Sequence, residues 1–256
     1  MRLANKARLR NTLKKLAAIG ISLEDRHDHV TAAQEALDFV AMMAGLKPVL
    51  MLGRGFDDTQ WIKGALQIAV DLKLHIVEGP YWDAVPTPTG LPEWYIEHTR
   101  AAFEGFRAHY ICKARATADE VAELCRTGTP TVADEARLLG YPECCVEAHY
   151  TRSRDYQMAW LSILGREAGG EEVEMRRLLA DCATLAPAND DERSRLEAAI
   201  AVCTVAFTSV NMCQACAGSS DGPARRMSRH YRELARELDQ GLARALGTAS
   251  IMARAT

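Results

Sequence analysis

Two tight cysteine pairs carry the chemistry that can be read from this chain. Cys144 and Cys145 are adjacent, in the run Leu139-Gly140-Tyr141-Pro142-Glu143-Cys144-Cys145, and Cys213-x-x-Cys216 follows 68 residues after the first pair ends. Four thiolates suffice to hold a soft metal ion or an iron–sulfur cluster. Pro142 suits the first turn of a helix, where its missing N–H costs nothing, and Gly140 can end the helix before it. Cys144 and Cys145 then fall in a first helical turn, where the peptide dipoles favour thiolate. Cys213 and Cys216 are expected where a helix over 191–212 gives way to the loop 217–222.

Adjacent cysteines point in different directions. A cluster with separate iron corners accepts them more readily than a single tetrahedral ion, which favours [4Fe–4S] and leaves zinc as the alternative cofactor. The metal ligands predicted are Cys144, Cys145, Cys213 and Cys216. Glu143 and His149 are the candidate catalytic acid/base groups. His149 lies four residues after Cys145 on the same helical face, so it is also a substitute ligand or an ordinary surface histidine. Redox alternatives are a thioredoxin-like dithiol at Cys213-x-x-Cys216 and a strained disulfide between Cys144 and Cys145. The first is disfavoured because that motif opens a helix after a strand, whereas here it is expected to follow a helix. The plainest alternative is four unrelated core cysteines. Cys112, Cys125, Cys182 and Cys203 lie among apolar neighbours and read as small buried hydrophobes.

The pieces Leu139 to Val146 and Cys213 to Pro223 resemble a prokaryotic family marked by Leu-Gly-Tyr-Pro-x-Cys-Cys-Val and a downstream Cys-x-x-Cys, a family without an assigned activity. The likeness covers the C-terminal half and implies that the four cysteines act as one unit. The same region imitates a helix-turn-helix. Ala136, Gly140 and Val146 have its spacing, and a second helix would offer Glu147, His149, Tyr150, Arg152 and Arg154. Pro142-Glu143-Cys144-Cys145 is poor groove chemistry, and the net charge of −3 disfavours nucleic acid as a partner.

The elements that must position these residues divide near residue 130. The expected class is α/β: a 1–130 domain with a small parallel sheet and flanking helices, and a mostly α-helical 131–256 domain carrying the cysteines. An amphipathic basic helix opens the chain, with Arg2, Lys6, Arg8, Arg10, Lys14 and Lys15 around an apolar stripe. Thr31-x-x-Gln34 starts a helix over 31–44. Strands are expected at 48–52 and 74–77 around a helix through Trp61 and Leu72, which is a βαβ unit with parallel strands. A third strand is expected at 109–112, with a helix over 93–107 before it. Thr117-x-x-Glu120 caps a further helix, and others follow over 131–139, 142–165, 171–183, 191–212 and 224–246. Gly53-Arg54-Gly55 makes a tight βα turn in which Arg54 is a candidate substrate contact, as is Tyr141. The proline-rich 79–92 loop is a rim or a plain excursion. Asp25, His27, Asp28 and His29 read as a polar capping loop before the 31–44 helix, with a metal site as the lesser alternative. The Arg-rich 224–246 helix reads as a solvated face.

A composition of 48% hydrophobic and 25% charged residues is that of a globular protein. No apolar run reaches the roughly 18 residues of a membrane span. Eight cysteines in a long chain argue for reduced thiols. The expectation is a cytoplasmic iron–sulfur enzyme (oxidoreductase, lyase or sulfur transferase) acting on a small molecule, with a homo-oligomer compatible with the sequence. The alternative is a zinc- or cluster-binding regulator of DNA or a protein partner.

Overall fold

Val49–Leu52 forms β1, His75–Pro80 forms β2 and Arg107–Cys112 forms β3. In the computed structural model these make one sheet in the order β1-β3-β2, with both outer strands antiparallel to β3. The expected parallel pairing is therefore corrected. β1 and β2 do run the same way, as a βαβ unit requires, but β3 enters between them and takes both ladders, giving a split βαβ. Val49 and His75 both stand opposite Cys112, and Leu52 and Glu78 both stand opposite His109. The strand–helix–strand order suggested a parallel sheet, and the apolar run Val49-Leu50-Met51-Leu52 a buried strand. Here an antiparallel sheet is covered on both faces. Leu50, Leu52 and Ile111 join one core cluster, and Val49, Ala108, Tyr110 and Cys112 join another.

The structure describes residues 3–21, 26–53, 59–80, 82, 90–103, 107–127, 130–181, 185–201, 203–204, 207–208 and 210–252. The helices are α1 (Leu3–Ile21), α2 (Arg26–Ala44), α3 (Thr59–Asp71), α4 (Glu93–Phe103), α5 (Arg115–Thr127), α6 (Val132–Leu139), α7 (Glu143–Glu167), α8 (Glu172–Ala180), α9 (Asp190–Ile200), α10 (Gln214–Gly218), α11 (Pro223–Leu238) and α12 (Gln240–Met252). A hairpin of β4 (Cys203–Thr204) and β5 (Asn211–Met212) completes the set. The chain is thus mostly helical around a small antiparallel sheet. Among the described residues, no helix is long and apolar enough to cross a membrane.

Packing divides the chain into two units. One comprises Met1–Trp82, Glu104–Val146 and Cys203–Thr256; the other comprises Asp83–Phe103 and Glu147–Val202. The expected division near residue 130 falls inside the first unit. In that unit α1 buries Leu9, Leu13 and Leu16, and its basic residues serve neighbouring helix ends. Arg10 Nε donates to the Leu238 carbonyl at 3.0 Å, and Arg8 to that of Leu72 at 3.2 Å. Trp82 stacks on Tyr110 with ring centroids 4.4 Å apart. The second unit buries Trp94, Ile96, Ile163 and Leu164. The Arg176 guanidinium lies 5.3 Å from the Trp94 ring centroid, and Arg166 pairs with Glu192 at 2.9 Å.

Several boundaries differ from the sequence reading. Helix α2 starts at Arg26, so Thr31 is internal, and His27, Asp28 and His29 lie in its first turns, not in a loop. Thr117 is likewise inside α5. The expected 224–246 helix is two helices. Asp239 ends α11 and its carboxylate accepts from the N–H groups of Gly241 and Leu242, capping α12. The expected 191–212 helix stops at Ile200. Thr204, Thr208 and Val210 are β-branched and favour extended backbone. Phe207, at φ 73°, is held in the left-handed region at the hairpin by its buried side chain, which joins the core. Arg54, Asp25 and Cys182 lie outside the described residues, as does most of the 79–92 loop, while Gly79 and Pro80 finish β2.

Thr131 and Asp134 form a reciprocal capping box at the start of α6, and Gly140 ends it at φ 71°, ψ 23° in the α6–α7 turn. A Cβ at Gly140 would stand 2.7 Å from Lys47 Cβ and 3.3 Å from Lys47 Cα, so neither side can retreat cheaply. Gly140→Ala is expected to cost on the order of 1–3 kcal/mol through left-handed backbone and this clash. Urea denaturation of the variant checks the value.

Candidate metal centre

All four predicted cysteine ligands come together in the first unit. Their sulfurs lie within 4.8 Å of one another, a group that could hold a metal ion. Cys144 Sγ is 4.0 Å from Cys145 Sγ, 3.8 Å from Cys216 Sγ and 3.7 Å from Cys213 Sγ. Cys145, Cys213 and Cys216 are buried and Cys144 is exposed.

Local sequence explains how each pair is delivered. Gly140 reverses the chain, Pro142 accepts from the N–H groups of Cys145 at 2.8 Å and Val146 at 3.1 Å, and α7 begins. Cys144 and Cys145 therefore sit in its first turn. The second pair follows β5, not a helix, which corrects the expectation. Cys213 is the N-cap of α10, with its sulfur accepting from the Cys216 N–H at 3.4 Å where a serine or aspartate oxygen would usually serve. The Cys213 N–H in turn donates to Cys145 Sγ at 3.4 Å, linking the pairs through the backbone. Because the motif opens a helix after a strand, the ground for setting aside a dithiol no longer holds.

Electrostatics shows what the pocket lacks. Partial desolvation of its sulfur, reinforced by the Cys213 and Cys216 thiols, pushes the otherwise exposed Cys144 thiol up to about 11. Burial pushes Cys145 higher still, against the Cys213 N–H donated to it. Burial also raises Cys213, but the Cys216 N–H and the neighbouring thiols outweigh it, and this group falls below its ordinary value. A cation held among the sulfurs would supply the charge that favours their ionisation. Helix starts help. Cys144 and Cys145 occupy the positive end of α7, and Gly222, the N-cap of α11, lies against Cys216. A Cβ at Gly222 would come within 3.1 Å of Cys216 Cα and 3.5 Å of its sulfur, so a side chain there would press on Cys216.

A second layer went unread in the sequence. Arg225 donates to the Ala217 carbonyl at 2.9 Å, Arg229 to that of Ser220 at 3.2 Å, and both Arg226 and Arg229 pair with Asp221. Arg226 and Arg229 are exposed, as a solvated face expects, and with the half-buried Arg225 they also hold the loop after Cys216. On the other side of the site's frame, Lys47 pairs with Asp38 at 3.5 Å, both nearly sealed from solvent, and its ammonium stands 4.8 Å from the Tyr141 ring centroid. Burial alone would lower the Lys47 pKa, but Asp38, Tyr141 and Glu35 hold it above its usual value. Tyr141, proposed from sequence as a substrate contact, is engaged by this buried cation. Burial together with Asp38 raises the Tyr231 hydroxyl well above its usual range.

Of the remaining predicted residues, Glu143 is exposed at the start of α7. His149 belongs to the second unit, where its ring meets Tyr150 edge-on at 5.7 Å. In the helix-turn-helix-like segment Ala136 and Val146 are buried, as any αα corner requires, and Arg154 pairs with Asp155 at 3.0 Å. Cys112 is buried and Cys125 half-buried, as packing residues should be. Searches against family models, curated proteins and solved structures return no match for the chain.

Glu35 yields a pH test. Its Oε2 is sealed from solvent without a hydrogen-bond partner. Burial, then Asp38, raise its carboxyl from 4.5 to about 8, against the pull of Lys47. The folded state therefore binds the proton more tightly than the unfolded chain, and stability falls as pH rises from about 4.5 to about 8. Glu35→Gln is expected to flatten that slope and to stabilise the protein at pH 8 by on the order of 2 kcal/mol. Urea unfolding at pH 5, 6.5 and 8 reads the difference.

Proposed function

We propose that the chain is a zinc protein in which Cys144, Cys145, Cys213 and Cys216 bind one ion tetrahedrally. The spacing of the sulfurs carries this reading. Zinc–sulfur bonds of about 2.3 Å set a tetrahedral edge of about 3.8 Å. The Cys144 sulfur stands 3.7, 3.8 and 4.0 Å from its three neighbours. A four-iron cluster holds each thiolate on a separate iron, outside the inorganic core, and spreads the sulfurs further apart. A further feature supports a metal: backbone N–H groups donate to Cys145 and Cys213, as outer-shell donors do at thiolate sites.

The second reading is the cysteine-ligated [4Fe–4S] enzyme acting on a small molecule. The exposure of Cys144 favours it, because three buried ligands would leave that corner open to substrate. Glu143, beside that corner in sequence, would be its acid/base.

Anaerobic purification with measurement of zinc, iron and acid-labile sulfide decides between them. One zinc per chain and colourless protein are expected. Cys213→Ser and Cys216→Ser should each weaken zinc by more than about 100-fold, beyond the loss of an outer-shell partner. Brown protein with iron and sulfide establishes the cluster instead, and a chain that takes up no metal overturns both readings.

A further inference from the structure

The centre is closed on three sides and open on the fourth. Cys145, Cys213 and Cys216 are 2%, 7% and 2% exposed, whereas Cys144 is at the surface. Buried structural cysteines are inert, whereas susceptibility to oxidation follows thiolate character and exposure. The accessible position here is itself a sulfur, with three more sulfurs behind it.

Resting on the zinc reading, we propose that the centre is a hydroperoxide-responsive switch in which Cys144 is the sulfur oxidised and the Cys213-x-x-Cys216 pair resolves it. The Cys144 thiolate attacks one oxygen of hydrogen peroxide; the S–O bond forms, the O–O bond breaks, and hydroxide leaves. The sulfur gives up two electrons and becomes a sulfenic acid. A thiolate of the facing pair then attacks that sulfur, the S–S bond forms and a second hydroxide departs. Two thiolates and one peroxide thus become one disulfide and two hydroxides.

Geometry selects the resolving partner. Cys213 and Cys216 stand 3.7 and 3.8 Å from Cys144, and either ties α7 to the α10 turn. Cys145, at 4.0 Å, is the neighbour in sequence, and a disulfide between adjacent residues is strained. Cys213 precedes a five-residue helix, so the pair can follow the new bond with little rearrangement. Oxidation removes two of four ligands, and the two left cannot retain the ion. A thiol reductant restores the site.

The test uses the full chain loaded with zinc, its zinc content measured first. After hydrogen peroxide, the expected product is about 2 Da lighter and has released its zinc. Non-reducing digestion with tandem mass spectrometry should show Cys144 joined to Cys213 or Cys216. Cys144→Ser, retaining three thiolates, should release zinc at least about tenfold more slowly, since the exposed nucleophile is gone. A disulfide confined to Cys213–Cys216 or Cys144–Cys145 overturns the proposal, as does release from Cys144→Ser at the wild-type rate. If that variant holds no zinc, the wild-type disulfide map decides alone. A wild-type chain that carries no zinc overturns the metal reading only, because the map reads the fate of Cys144 without it.

Discussion

Like charges in a small buried volume are the constraint around which this fold is arranged. Four thiols within 4.8 Å of one another are easy to pack while neutral and costly to ionise together. Each device at the site either delivers a sulfur to that volume or lowers the cost of charge there. The first turn of α7 and the start of α11 bring positive peptide ends, and N–H groups of Cys213 and Cys216 point at sulfurs. What results is a group of four sulfurs that could hold a cation.

The frame behind the sulfurs is also electrostatic. Asp38 of α2 and Lys47 in the loop after it meet out of water, with Tyr141, just before α7, lying near the ammonium. A buried pair of this kind adds little net stability, but it tolerates few alternative placements of its members. Gly140 packs on the backbone and Cβ of the same lysine, so the turn that aims the cysteine pair is registered against a charge that cannot wander.

Cysteine spacing made the site legible, because soft-ligand chemistry limits what two such pairs are for. Gly140 and Pro142 made the first delivery legible as well, since each forces its local backbone. The second delivery was misread: helical periodicity was extended through Thr204, Thr208 and Val210, whose branched side chains favour the hairpin seen there. Strand positions were readable, but not their partners. An apolar run reports that both faces are covered and is silent on which strand lies beside it. The Asp38–Lys47 pair was unreadable because it joins residues whose proximity depends on the completed fold. Charge periodicity marked the solvated face of α11 but does not reveal a loop folded back onto some of its arginines.

The two halves of the site are separated in sequence by a long excursion, and most of that excursion, Glu147–Val202, belongs to the other unit. An ion held by both pairs would act as a clasp at the root of a roughly 68-residue loop, removing about 4 kcal/mol of disorder from the unfolded chain. The ends of the loop would be fixed by chemistry independent of its contents. The excursion could then be lengthened, shortened or exchanged without moving the four sulfurs, which makes this stretch the place where the protein can most cheaply acquire new specificity.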